Sequence, residues 1–196
     1  MRASPPAMSP LRKFIEEMIV RRERLSDLPA IVPHFDPAED SIASRDSKLQ
    51  STPAQEPRGV PVKKQINVVG AVVVRDDTIL AAQRSAAMAL PGMWEFPGGK
   101  IEAGETPQQA LAREMNEELR CTVEIGEHLE TTSHEYDFGV VTLTTYYATL
   151  VDDEPQLTEH SEIRWIPASA LDSVEWAPAD VPAVERIMRD FSSGAA

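Results

Sequence analysis

Apolar residues first recur at Leu11, Phe14, Ile15, Met18 and Ile19, in steps of three and four that place one stripe along a helix from about residue 9 to 25. A single amphipathic helix cannot bury such a stripe by itself. It is expected to dock on its own chain or in a homodimer, a membrane surface being the weaker alternative. Pro, Ser, Asp and Ala then dominate from Pro29 to Lys64, a composition that reads as linker. From Gln65 the pattern becomes that of a folded domain reaching to residue 192, with 193–196 as a disordered tail. Ile66–Val74 (INVVGAVVV) is a β-branched run short enough for a buried strand. Asp76-Asp77 makes a turn, and Thr78–Gln83 returns as its partner. Gly92–Lys100 is a Gly/Pro-rich loop around Trp94-Glu95-Phe96.

Thr106–Leu119 carries helix-start signals: Thr106 as N-cap, Pro107 in the first turn and Gln109 completing a capping box. Val123–Glu135 and Val140–Val151 form a Thr-, Val- and Tyr-rich hairpin about Asp137-Phe138-Gly139. Ile163–Ile166 is a short strand and Val181–Phe191 a closing helix. The mixture predicts an α/β sandwich with a largely antiparallel or mixed sheet.

Composition adds little until it is divided along the chain. The length of 196 residues suits one domain of about 100–150 residues with an extension. No apolar run approaches the roughly 18 residues of a membrane helix, and the start lacks the apolar stretch of a secretory signal. The single cysteine, Cys121, excludes an internal disulfide framework, so a reducing cytoplasm is expected. Residues 1–64 hold 11 basic and 9 acidic side chains, a net of +2, while residues 65–196 hold 8 and 23, a net of −15, and the two sum to the net charge of −13. Such a surface repels nucleic-acid polymers but admits a phosphorylated small molecule held through a divalent cation.

The acid is concentrated at Glu114, Glu117 and Glu118, which fall on one helical arc beside the apolar arc of Leu111, Met115 and Leu119. Like charges at this spacing repel by a few tenths of a kcal/mol per pair. A solvated acidic face is the ordinary outcome. Carboxylates gathered around Mg²⁺, which prefers oxygen ligands and bridges them to phosphates, is the functional one.

The surrounding residues favour the second. Gly98-Gly99-Lys100-Ile101-Glu102-Ala103-Gly104-Glu105 leads directly into the helix, and after seven intervening residues comes Arg113-Glu114-Met115-Asn116-Glu117-Glu118. From Gly99 to Cys121 this resembles the box of the Nudix hydrolases, G-x5-E-x7-R-E-U-x-E-E-x-G-U with U apolar. Eight of the nine specified positions agree, Arg120 standing where the family has glycine. Glycine there would end the helix in a left-handed turn, and arginine should cost on the order of 1 kcal/mol. Cys121 fills the last apolar position and reads as packing.

The resemblance extends over about residues 66–192 and is closest to MutT-like nucleoside triphosphate pyrophosphohydrolases, a pyrimidine-accepting CTP pyrophosphohydrolase branch among them. It implies an α/β/α sandwich with a mixed sheet and cleavage of a triphosphate to monophosphate and pyrophosphate, by a water attacking in line at the β-phosphorus. It also implies that the Gly98 carbonyl and Glu114, Glu117, Glu118 and Glu159 hold Mg²⁺, with Mn²⁺ as a substitute. Any of these glutamates is open as general base. Glu105 would brace Arg113, Arg84 would contact phosphate, and Asp180, within Trp176-Ala177-Pro178-Ala179-Asp180, would read the base. Blander roles remain for these positions: a solvated strand-end cation at Arg84, a surface acid at Glu159, a helix N-cap at Asp180. Phe138, Trp94 or Tyr136 are open for stacking or packing, and His160 reads as a loop residue. ADP-ribose hydrolysis is the rival within the family, though Tyr136 stands where that group carries proline. An inactive Nudix-like binding module is the rival outside it.

Overall fold

The computed structural model describes residues 63–152 and 154–194. The expected helix at 9–25 and the linker up to residue 62 lie outside these residues. The described residues form six strands: β1 Gln65–Arg75, β2 Thr78–Gln83, β3 Trp94–Glu95, β4 Thr122–Tyr136, β5 Gly139–Asp152 and β6 Glu162–Pro167. They are joined by two α-helices, α1 Pro107–Leu119 and α2 Val181–Gly194, and a short 3-10 helix at Ala168–Ser173. The sheet is mixed. β1 runs parallel to β5 from Gln65↔Val140 to Val73↔Ala148, while β4–β5, β2–β3 and β2–β6 are antiparallel.

The alternation of the first strand explains the three layers. Val69, Ala71 and Val73 pack against Ala110, Leu111, Met115 and Leu119 of α1 on one face. Val72, with Ile79, Leu129 and Tyr147, faces Leu171 and Ala183, Val184 and Ile187 of α2 on the other. Both faces are covered, so the strand reads as a continuous apolar run, and each fully buried side chain contributes roughly 1.5–3 kcal/mol. The expected α/β/α sandwich with a mixed sheet is therefore what forms.

The pairing of β2 departs from expectation. It meets β1 only at Val74↔Ile79 and Arg75↔Thr78, then pairs with β6 over six positions from Thr78↔Pro167 to Gln83↔Glu162. β1 gives its freed edge to the glycine-rich loop. Val69 N–H donates to the Gly99 carbonyl at 2.8 Å, Ala71 N–H to Pro97 at 2.8 Å, and Ile101 N–H to Asn67 at 3.1 Å. The loop is thus fixed to the central strand like a further strand. Two smaller differences concern the end of the chain: the 3-10 turn, and α2 running to Gly194, so that two residues expected in the tail are helical.

The α1 ends follow their sequence signals. Thr106 Oγ1 accepts the Gln109 N–H at 3.2 Å and Gln109 Oε1 accepts the Thr106 N–H at 2.9 Å, closing the capping box. At the other end Arg120 takes the left-handed conformation (φ 52, ψ 32) and donates its N–H to Asn116 at 3.1 Å. The helix stops where glycine would stop it, with a β-carbon in a region that disfavours one. Replacing Arg120 by glycine is expected to stabilise the domain by about 1 kcal/mol. The readout is a higher urea midpoint with an unchanged denaturant slope. An unchanged midpoint would mean that the arginine carries no strain.

Candidate active site

The loop docked on β1 and the acidic arc of α1 meet at the floor of a cleft of about 640 Å³. Their approach is close enough to need glycine. A β-carbon on Gly99 would lie 2.3 Å from Glu114 Cδ, and one on Gly98 would lie 2.2 Å from the Val69 carbonyl oxygen. Arg113 fastens the junction. Its Nε and Nη2 donate to the two Glu105 oxygens at 2.8 and 2.9 Å, and Nη2 also donates to the Lys100 carbonyl at 3.0 Å. Its Nη1 reaches Glu114 Oε1 at 2.9 Å and Glu117 Oε2 at 3.2 Å. Glu105 accepts the Glu102 N–H as well, and the arginine bonds followed by this one hold its carboxyl down at about 2.

Glu118 differs from its neighbours. Its Oε2 is buried without a hydrogen-bond partner. Burial pushes its carboxyl from 4.5 up to about 7, the charges of Glu114, Glu95 and Glu159 adding to the rise and His160 opposing it. An orphaned carboxylate oxygen among other carboxylates leaves an acceptor unsatisfied and negative charge uncompensated. Among the described residues, no three His, Cys, Asp or Glu side chains converge closely enough to hold an ion as they stand. Arg113 supplies the positive charge at two of the carboxylates. Glu159 lies on an exposed loop outside the cleft lining, near enough for its charge to act on Glu118.

Toward the other end of the cleft stand Arg84, Asp180, Tyr136 and Phe138. Asp180 is 4% exposed, and its Oδ1 accepts the Phe96 N–H at 3.0 Å. Burial pushes its carboxyl well above the ordinary 3.8 and the Glu95 charge adds to this, while the Phe96 hydrogen bond and Arg84 oppose it. Tyr136 accepts the Ala179 N–H on its hydroxyl at 3.0 Å and stacks on Phe138, ring centroids 5.0 Å apart and planes 5° from parallel. Phe138 remains 48% exposed, an aromatic face available at the rim. Trp94 is instead 5% exposed in the α2-side core, which leaves it no face for a ligand.

Arg84 is held from two sides, by the Ala89 carbonyl at Nε and by Glu95 Oε2 at Nη1. Glu95 Oε1 meets His160 Nε2 at 3.0 Å. His160 lies in a loop, as expected, but is buried at 5% exposure. Sequence reasoning gave neither Glu95 nor His160 a place here. The alternation in Trp94-Glu95-Phe96, with both aromatics buried, was the available sign that Glu95 points the other way.

Residues 64–191 match the NUDIX domain. A Mycobacterium tuberculosis protein, provisionally named 8-oxo-dGTP diphosphatase 2, is 38% identical over 139 residues, which cover 67% of this chain and 94% of that protein. CTP pyrophosphohydrolase of Escherichia coli K12 is 36% identical over 125 residues, covering 64% of this chain and 93% of its own length. The solution structure of the Nudix hydrolase MutT from methicillin-resistant Staphylococcus aureus is 55% identical, with a TM-score of 0.57, and covers 66% of this chain and 99% of that one.

Proposed function

The chain belongs to the Nudix family and is a Nudix hydrolase, and we propose that it cleaves nucleoside triphosphates to the monophosphate and pyrophosphate with Mg²⁺. The observation that carries this reading is the orphaned Glu118 Oε2, an unpaired hard oxygen donor beside Glu114 on the floor of the cleft. These donors suit a hard divalent cation. Glu114, Glu117 and Glu118 with the Gly98 carbonyl would hold it, and Mn²⁺, with the same taste for oxygen, would substitute. When bound it would neutralise phosphate oxygens and lower the pKa of a water.

The protein's own groups supply position. Arg113 and Glu105 keep the loop carbonyls against the carboxylates. Arg84 has its Nε and Nη1 occupied, so its orientation is fixed before a phosphate arrives. At the far end, Asp180 offers Oδ2 and one remaining Oδ1 lone pair to a base edge, and Phe138 offers a stacking face. Cytosine and oxidised guanine both present an amine that such a carboxyl can accept from. CTP, 5-methyl-dCTP and 8-oxo-dGTP are therefore the bases to compare.

The test is a panel of these three with ADP-ribose, in Mg²⁺, with pyrophosphate and monophosphate measured separately. Equimolar nucleoside monophosphate and pyrophosphate from a triphosphate is the expected outcome. AMP with ribose 5-phosphate as the main product would place the chain with the sugar-nucleotide hydrolases. No turnover on any of them would leave a binding module.

A further inference from the structure

The carboxylate of Glu95 lies between two groups that neither the family box nor the base pattern connects. One oxygen accepts from Arg84 Nη1 and the other meets His160 Nε2 at 3.0 Å. Its side chain is 14% exposed, that of Arg84 20% and that of His160 1%, so the three form one largely desolvated chain. The backbone reinforces it. Glu95 pairs with Ala82 and Trp94 with Gln83, next to Arg84. Ser161, next to His160, donates its N–H to the Gln83 carbonyl at 2.9 Å and its hydroxyl to the Gln83 side chain at 3.0 Å. The end of β2 thus brings all three residues together.

The chemistry of the chain is directional. A carboxylate only accepts, so a neutral His160 must carry its one proton on Nε2, and Nδ1 is left on the far side of the ring. That Nδ1 is buried and has no hydrogen-bond partner, as is Glu118 Oε2. Glu95 lines the cleft and His160 does not.

We propose that Glu95 is a positioning residue, gripping Arg84 with one oxygen and fixing the ring orientation and tautomer of His160 with the other, so that the arginine in the cleft and the buried histidine behind it are set together. The proposal rests on the hydrolase reading of the cleft only for its kinetic consequences. Its structural content stands apart. Charge-assisted hydrogen bonds of this kind are worth about twice neutral ones, and a buried carboxylate with two donors orders both.

The test uses Glu95→Gln in the full chain. Glutamine has one acceptor oxygen, which the arginine takes, and turns N–H donors toward His160. The histidine must then accept at Nε2 and carry its proton on Nδ1. At a pH high enough to leave the ring neutral, ring nitrogen NMR should accordingly report Nε2–H in the wild type and Nδ1–H in the variant, and KM for the triphosphate should rise about tenfold or more. A parallel pair separates positioning from folding: His160→Ala should raise KM although the residue lies outside the cleft, and His160→Gln, which can still donate to Glu95, should recover most of the loss. A wild-type tautomer together with wild-type KM in Glu95→Gln would overturn the proposal. If Glu95→Gln does not fold, equal KM for wild type, His160→Ala and His160→Gln would overturn it. If no nucleotide is turned over by the wild type, the hydrolase reading fails, and the tautomer alone then decides the role of Glu95.

Discussion

Replacing Glu118 by glutamine is expected to lower turnover by about a thousandfold while leaving the domain folded and, without metal, more stable. The two effects share one cause. Glu118 is buried with Oε2 unpartnered, and its carboxyl sits at about 7 instead of 4.5. An acid whose proton is held more tightly in the folded state stabilises the fold most below its ordinary value. That advantage is lost as pH rises from about 4.5 through about 7. Above that window the ionised carboxylate costs the metal-free protein on the order of 3 kcal/mol. Glutamine keeps the shape without the charge. Urea unfolding in a chelator should therefore show the variant more stable at pH 8, with the gap closing toward pH 4.5. Adding Mg²⁺ should stabilise the wild type and leave the variant nearly unchanged. A variant with wild-type pyrophosphate release would remove Glu118 from the chemistry.

The second large effect is expected at Asp180→Asn, where stability and selectivity should part. The side chain is buried, and its carboxyl is pushed well above 3.8 chiefly by that burial. By the same sign, stability from this group is greatest below its ordinary value and falls as pH rises through the folded one. Asparagine retains an oxygen for the Phe96 N–H and has no charge to bury, so the variant should have the higher urea midpoint at pH 8. At the base edge it introduces an N–H pair, which meets a keto oxygen well and an exocyclic amine poorly. Losses on the cytosine nucleotides and on 8-oxo-dGTP should therefore differ, because the two edges present different patterns of donors and acceptors. Equal losses on all three would assign Asp180 to structure and not to recognition.

What the chain announces and what it conceals divide by the range of the interaction. α1 was legible because its determinants are local: Thr106 and Gln109 cap each other across three residues, and Leu111, Met115 and Leu119 define one face. The box residues were legible for the same reason, since their geometry is set within one loop and one helix. The exchange of β2 from β1 to β6 depends on pairing across about ninety residues, as Thr78↔Pro167 shows, and no local signal records it. His160 illustrates the consequence. A histidine in a polar loop reads as a plain loop residue until the loop is tied to Gln83 and the ring is brought onto Glu95. Arg120 is the opposite lesson. The glycine it replaces is absent, yet its left-handed backbone is retained, because the rest of the turn dictates it.

The acid of this domain is expected to become a phosphate-binding site only with a divalent cation. Calorimetric titration of the full chain with a non-hydrolysable CTP analogue, in Mg²⁺ and again in a chelator, tests it most directly. Binding in Mg²⁺ that weakens by about a hundredfold or more in the chelator is the predicted result. Equal affinity in the two conditions would contradict it.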